Sequence, residues 1–233
     1  MKKFYDKSEL WFSLFFIMLY TGSTIPIRGE LGDNSIWMLI ALLIIASIIL
    51  LFIKKHKLEE KYGINILPKN PKKYFYFIPL IILAFGNLWG GIKLHFNGIS
   101  LAFACISMAL IGFVEEIIFR GFLFRAIEKN KGAKQAITIS AITFGIGHFV
   151  NLFAGQANID TILQIIFAIS MGFVFTFVFY KSKSIWPCVL THAIVNVTAM
   201  FSMDNQIIMY IYLIVSIIIS IIYCSYLSKL KEN

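Results

Sequence analysis

The chain is poor in charge. Of its 233 residues only 14% are Asp, Glu, Lys or Arg, against about 25% in an ordinary soluble domain. Acidic residues are the scarcer sign, 12 against 21 basic ones. Cysteine is also scarce: Cys105, Cys188 and Cys224 stand apart in apolar segments, with no CxxC and no Cys/His cluster. That excludes a disulfide framework and a Cys-ligated zinc site, so the three read as small buried hydrophobes. No segment alternates strictly between apolar and polar residues, as a transmembrane β-barrel would require. No linker, internal repeat or low-complexity tract divides the chain, so one membrane domain is expected over 1–233.

What is abundant is apolar surface. Hydrophobic residues make up 59% of the chain, 23 of them Phe, and the mean hydropathy is +0.81. Several stretches approach the ~20 consecutive apolar residues that cross a bilayer. The fold class expected is all-α, a polytopic membrane protein of about eight transmembrane helices. The spans read as 10–27, 35–53, 74–92, 99–127, 135–154, 161–180, 184–203 and 207–227. The third is the weakest, interrupted by Pro79, Gly86, Asn87, Gly90 and Gly91. The first follows Met1-Lys2-Lys3 but has no small-x-small cleavage site, so it reads as a span and not as a signal peptide.

The net charge of +9 does not point to nucleic acid, because the basic residues flank apolar runs instead of forming one face. Seventeen of the 21 fall on one set of connections: the two chain ends, the loop 54–73, and the loops after the fourth and sixth spans. The alternate connections hold only Arg28 and Lys93, while Arg120 and Arg125 lie in the fourth span. By the positive-inside bias both termini and the loop 54–73 are cytoplasmic. That loop, with seven Lys beside Glu59, Glu60, Pro68 and Pro71, reads as a solvated segment touching anionic lipid headgroups.

A few polar groups lie inside the spans. Glu115 and Glu116 stand side by side in an otherwise apolar run, at a cost of about 2.5–3.5 kcal/mol for each ionised group at mid-bilayer. The others are Arg120 in the same span, His148 and Asn151 in the fifth, and His192 and Asn196 in the seventh. Counting residues at about 1.5 Å rise puts Glu115, His148, His192 and Asn196 roughly 12–20 Å from the cytoplasmic helix ends. Three helices thus bring polar groups to one depth. Glu116 and Arg120, four apart, can pair on one face. Glu115 is rotated about 100° from Glu116 and can face His148 or His192. His192 projects with Asn196, and His148 with Asn151. Gly112, Gly121, Ala141, Gly145 and Gly147 would let these helices approach closely. Ser184 reads as the N-cap of the seventh span, with Pro187 in its first turn. His56, His95, Asp160 and Asp204 read as loop or helix-end residues.

Taken in order, Glu115-Glu116-Ile-Ile-Phe-Arg120 fits EExxxR, Phe144-Gly-Ile-Gly-His148 fits FxxxH, and His192-Ala-Ile-Val-Asn196 fits HxxxN. In this order and spacing the chain resembles the CPBP family, which groups type II CAAX prenyl endopeptidases with bacterial Abi and bacteriocin-processing or immunity proteins. The resemblance covers about residues 112–196, within a motif-bearing core of 99–203. It implies an eight-helix intramembrane metalloprotease, multi-pass in a bacterial plasma membrane. Its substrate would be a hydrophobic or lipid-modified peptide, cleaved on the cytoplasmic side. By position Glu115, Glu116, His148, His192 and Asn196 would be catalytic, with Arg120, Phe144 and Asn151 supporting them.

Two chemistries stay open at this point. In one, Glu115 is a general base for a water also held by His148, and His192 and Asn196 stabilise the oxyanion. In the other, Glu115, His148 and His192 hold zinc or another divalent metal. No HExxH is present. Two other functions compete with proteolysis: a non-catalytic immunity or scaffold protein of the same family, and an ion-coupled transporter. The latter would show paired broken helices in two halves, and the sequence has no such pair.

Overall fold

The computed structural model describes residues 1–68, 71–75 and 77–230. Lys69 and Lys231, two lysines of the expected cytoplasmic side, lie outside the described residues, as does Tyr76 of the third expected span. Polar signals begin the apolar helices. A short helix, α1 (Lys2–Lys7), ends at Ser8, whose Oγ accepts from the Trp11 N–H at 3.2 Å and opens α2 (Glu9–Leu31). Ser35 does the same for α3 (Ile36–Lys55), accepting from Met38 N–H at 3.2 Å. Two short pieces follow, α4 (Pro71–Tyr74) and α5 (Phe77–Ala84), then a single 3-10 turn over Gly86–Leu88.

The next helix, α6 (Gly98–Glu116), runs through a π-helical stretch (Ile117–Leu123) into α7 (Phe124–Lys131). Gly132 then separates it from α8 (Ala133–Gly147), which tightens into a 3-10 stretch (His148–Ala154). The chain ends with α9 (Asn158–Ser182), α10 (Trp186–Ala199) and α11 (Gln206–Lys229), the last capped by Asn205. Ile185, and not Ser184, is the N-cap of α10. The Ser184 Oγ accepts from the Trp186 N–H at 3.4 Å, and Pro187 occupies the first turn.

Among the described residues, six helices are long and apolar enough to cross a membrane: Glu9–Leu31, Ile36–Lys55, Gly98–Lys131, Ala133–Ala154, Asn158–Ser182 and Gln206–Lys229. Among the described residues there is no strand, only an isolated bridge between Ile92 and Ser202. The chain is an all-α polytopic membrane protein. The third and seventh expected spans take a different form. α10 has 14 residues, about 21 Å at 1.5 Å each, short of a ~30 Å hydrocarbon core. The third is broken after Ala84, and its freed backbone groups are taken up by neighbours. Tyr212 O–H donates to Leu83 O at 2.6 Å and Thr198 O–H to Ala84 O at 3.2 Å, while the Asn87 side-chain amide in return donates to Val195 O of α10 at 2.8 Å. Irregular backbone is tolerated at membrane depth only when protein satisfies it in this way.

The centre of the bundle is α6, packed between α3 and α10, while α8 lies along α9 and α2 crosses the π stretch. Gly112 permits the α6–α10 contact: a Cβ there would lie 2.8 Å from Ala193 N, immediately after His192. Large apolar side chains on the outer surface, such as Trp11, Leu51 and Ile221, suit contact with lipid.

The loop 54–73 is not simply solvated. Residues 58–64 fold back into the bundle, where Tyr62 is 1% exposed. Gly63 makes this possible, with φ at +68° and no room for a side chain beside Lys183 O. Its carbonyl accepts from Ile185 N–H at 3.1 Å, and Trp186 Nε1–H donates to Ile64 O at 2.7 Å.

Gly112→Val should force α6 and α10 apart. Overpacking of this kind costs about 1–3 kcal/mol, so the thermal unfolding midpoint of the purified protein in detergent should fall. An unchanged midpoint would show that the contact has slack.

Candidate active site

Glu115 and Glu116 are the last two residues of α6 before its turn widens. π-helical stretches bond i→i+5 and occur frequently at functional sites. Here the stretch carries Arg120 and is buried throughout. The Ser140 O–H of α8 donates to Phe119 O within it at 2.9 Å.

Arg120 and Glu116 are both 0% exposed. Arg120 Nε lies 3.2 Å from Glu116 Oε2, close enough for an ion pair but off the alignment of a hydrogen bond. The guanidinium instead rests on aromatic faces, 4.2 Å from the Phe144 ring centroid and 5.4 Å from that of Phe175. Such contacts are worth about 2 kcal/mol or more when desolvated. The pairing expected of Glu116 and Arg120 is therefore present, with rings sharing the cation.

His192 bridges the two carboxylates. Its Nδ1 lies 2.8 Å from Glu116 Oε1 and its Nε2 3.5 Å from Glu115 Oε2. A carboxylate oxygen beside Arg120 accepts, so Nδ1 carries the proton of the shorter contact. The imidazole is clamped between Phe175, stacked at 5.6 Å, and the edge of Phe144, also at 5.6 Å. The expected division, Glu116 to Arg120 and Glu115 to the histidines, is thus only part of the arrangement, since Glu116 serves Arg120 and His192 together.

Glu115 has a further partner on α2. Tyr20 O–H donates to its Oε1 at 2.7 Å, in a buried contact. Tyr20 belongs to none of the three motifs. It stands about 17 Å along α2 from Glu9, level with the other polar groups, but depth alone does not separate it from the other aromatic residues of that span.

His148 sits where α8 tightens. Its Nδ1–H donates to Phe144 O at 3.0 Å, which leaves Nε2 as the free nitrogen. Asn151, on the same 3-10 face, accepts from Arg28 Nη1 at 3.0 Å and donates to Gln164 Oε1 at 2.8 Å. Asn196 donates to Met108 O at 3.4 Å, a long contact that lies on the wall of α6 and not at the carboxylates. Glu115, His148, His192, Asn196 and Tyr20 line one cavity of about 260 Å³, which extends to Arg28, Asp33 and Gln156.

Among the described residues, no three His, Cys, Asp or Glu side chains converge as a metal shell requires. His192 already faces a carboxylate with each nitrogen. The expected trio Glu115, His148 and His192 does not fit a metal in this arrangement.

A membrane bundle with a carboxylate–histidine–arginine cluster buried at mid-depth, open to one cavity, defines the class. The sequence model of the family described as type II CAAX prenyl endopeptidase Rce1-like matches residues 32–198. The chain belongs to that family of CAAX-type membrane proteases. No curated protein matches it. The matched range contains all three motifs and stops short of Tyr20 and Arg28.

Arg120→Met should destabilise the fold by about 3–5 kcal/mol, the usual cost of orphaning one partner of a buried ion pair. Adding Glu116→Gln should recover part of that loss. Thermal unfolding of the single and double variants measures both. A double variant no more stable than Arg120→Met would show that the pair is not the source of the loss.

Proposed function

We propose that this protein is an intramembrane endopeptidase of a bacterial plasma membrane. It hydrolyses a peptide bond in a hydrophobic or lipid-anchored peptide with a water activated by Glu115. The observation that carries the reading is Glu115 itself: a carboxylate 8% exposed, facing a cavity, with Tyr20, His148 and His192 around it. A purely architectural carboxylate would have no need of a cavity.

The geometry supports a division of labour. Tyr20 holds Oε1 of Glu115, so Oε2 is the oxygen available to a water, with His148 Nε2 as the second acceptor. Glu115 takes a proton from that water as its oxygen bonds to the scissile carbonyl carbon, and the C=O electron pair moves onto oxygen. His192 Nε2–H stabilises the resulting oxyanion, with Asn196 one turn further along α10 on the same cavity wall. The C–N bond then breaks, and the proton on Glu115 passes to the leaving amine. Glu116 and Arg120 hold the His192 ring in place. Charge supports this assignment. Glu115, Glu116 and Arg120 together carry one excess negative charge when ionised, which a cationic His192 between the two carboxylates would neutralise. A low-dielectric interior favours that balance.

Glu115→Gln should lower cleavage about 10²–10⁴-fold, the usual contribution of a general base, without loss of folded protein. Cleavage products are read by proteomic comparison of cells carrying the wild type, the variant or a deletion. Cleavage at the wild-type rate would sink the mechanism. If Glu115→Gln complements a deletion fully, the protein acts as a non-catalytic immunity or scaffold factor instead. Tyr20→Phe should slow cleavage about 10–100-fold, matching the 1.5–3 kcal/mol of a hydrogen bond to a charged group.

Activity should also survive chelator treatment, with elemental analysis showing less than one equivalent of bound metal. Loss on chelation and recovery with zinc would replace the metal-free route.

A further inference from the structure

We propose that Arg28 is a positioning residue, which fixes the place of His148 beside Glu115 through a hydrogen-bonded clamp joining α2 and α9 to the 3-10 stretch between them. What the clamp does for hydrolysis rests on the peptidase reading, while its geometry does not. Arg28 stands apart in the sequence. It is one of only two basic residues on the connections that are poor in lysine, so the positive-inside bias does not account for it. It lies in the last turn of α2, outside all three motifs and outside the range 32–198 that the family model matches.

The segment that carries His148 needs support from elsewhere. It is a 3-10 stretch of seven residues, whereas runs beyond three or four are uncommon because their hydrogen bonds are poorly aligned. Among the described residues the His148 side chain hydrogen-bonds only to Phe144 O, and its ring contact is with Phe144 as well, at 5.1 Å. Both tie it to α8 and to nothing across the cavity.

Asn151 supplies the missing ties. Side chains three apart eclipse in a 3-10 helix, so holding Asn151 holds the face that bears His148. Asn151 is 4% exposed. Its Oδ1 accepts from Arg28 Nη1 at 3.0 Å, and its Nδ2 donates to Gln164 Oε1 of α9 at 2.8 Å. Its backbone carbonyl accepts from Gln156 N–H at 3.2 Å, and the Gln156 side chain donates to the same Gln164 oxygen at 3.1 Å. Asp33 completes the clamp by holding Arg28 Nε at 2.8 Å. A guanidinium serves Asp33 and Asn151 together because its donors are fixed in one plane, whereas a lysine ammonium offers a single point charge. Arg28, Asn151 and His148 all line the cavity that Glu115 faces. Any shift of the 3-10 stretch therefore moves His148 Nε2 relative to the water that Glu115 activates.

The test uses the full-length protein in detergent, with isotope-labelled histidine and nuclear magnetic resonance. The chain has four histidines, and His148→Gln identifies the His148 signal by its loss. Arg28→Met should shift the His148 ring nitrogens and leave those of His56 and His95 in place. Gln164→Met opens the same clamp from α9 without removing a charge, and should shift them too. It also carries the test if Arg28→Met does not fold. In cleavage, read as for Glu115→Gln, Arg28→Met should cost about 10-fold alone and almost nothing once His148→Gln is present, because residues in one network are not additive. A His148 signal that stays in place in Gln164→Met would overturn the proposal, since a shift in Arg28→Met alone reports only a lost charge. Equal losses from Arg28→Met with and without His148→Gln would overturn it as well. If the peptidase reading alone is wrong, cleavage products are absent from every sample while both shifts stand.

Discussion

A guanidinium with no exposed surface, placed in the interior of a membrane helix, sets the terms for everything around it. Arg120 keeps its charge in any protein environment, so the bundle must neutralise it locally. Glu116 supplies the opposite charge at 3.2 Å, and the faces of Phe144 and Phe175 cover the cation. The remaining oxygen of Glu116 then takes His192 Nδ1 at 2.8 Å. Glu116 is thereby committed to two partners and is fully buried, outside the lining of the cavity that Glu115 faces. Of two neighbouring carboxylates, only Glu115 keeps access to open space. The difference between two chemically identical residues comes from what their neighbours require.

That arrangement depends on helix spacing. Gly112 sits one turn before Glu116 and lets α10 approach until its backbone is in contact with α6. A wider gap would carry His192 beyond reach of both carboxylates. Phe144 contributes in a different way. One ring meets Arg120, His148, His192 and Phe119, so the orientation of α8 is coupled to both histidines at once. The π stretch directly after Glu116 presents Arg120 to this ring while Ser140 occupies a carbonyl of the widened turn. The polar cluster and the aromatic packing are one structure, because each charged group is held by rings that the apolar core also uses.

Much of this is legible in the sequence where the cause is local. Apolar run length marks the long helices, and spacing of four identifies Glu116 with Arg120. Equal depth brings His148 and His192 to the same layer. What is not legible depends on contacts between distant segments. Tyr20 lies 95 positions from Glu115 and carries no motif, and a tyrosine in an apolar span resembles any other aromatic residue. The break after Ala84 is signalled by Gly86 and Asn87, but its acceptability rests on Thr198 and Tyr212 from other helices. The lysines of the loop 54–73 mark it as solvated, and only Tyr62 and Gly63 betray the turn back into the bundle. His192 reaching Glu116 as well as Glu115 follows from the closeness of α6 and α10, which no spacing rule measures.

The same arginine also bears on the transporter alternative. A proton or ion relay needs polar groups continuing across the membrane, with access alternating between its two sides. Here the polar chain ends at Arg120, whose Nη atoms make no hydrogen bond among the described residues. Beyond it stand Phe122, Tyr62 and Phe12 in edge-to-face contact. An ion arriving at Glu115 would meet a neutralised cluster and then a wall of rings. Hydrolysis has no such requirement. It needs water, a base and room for one extended segment. The buried arginine that makes transit difficult is the same group that holds the cluster in place, so the barrier to transit and the order at Glu115 have a single physical origin.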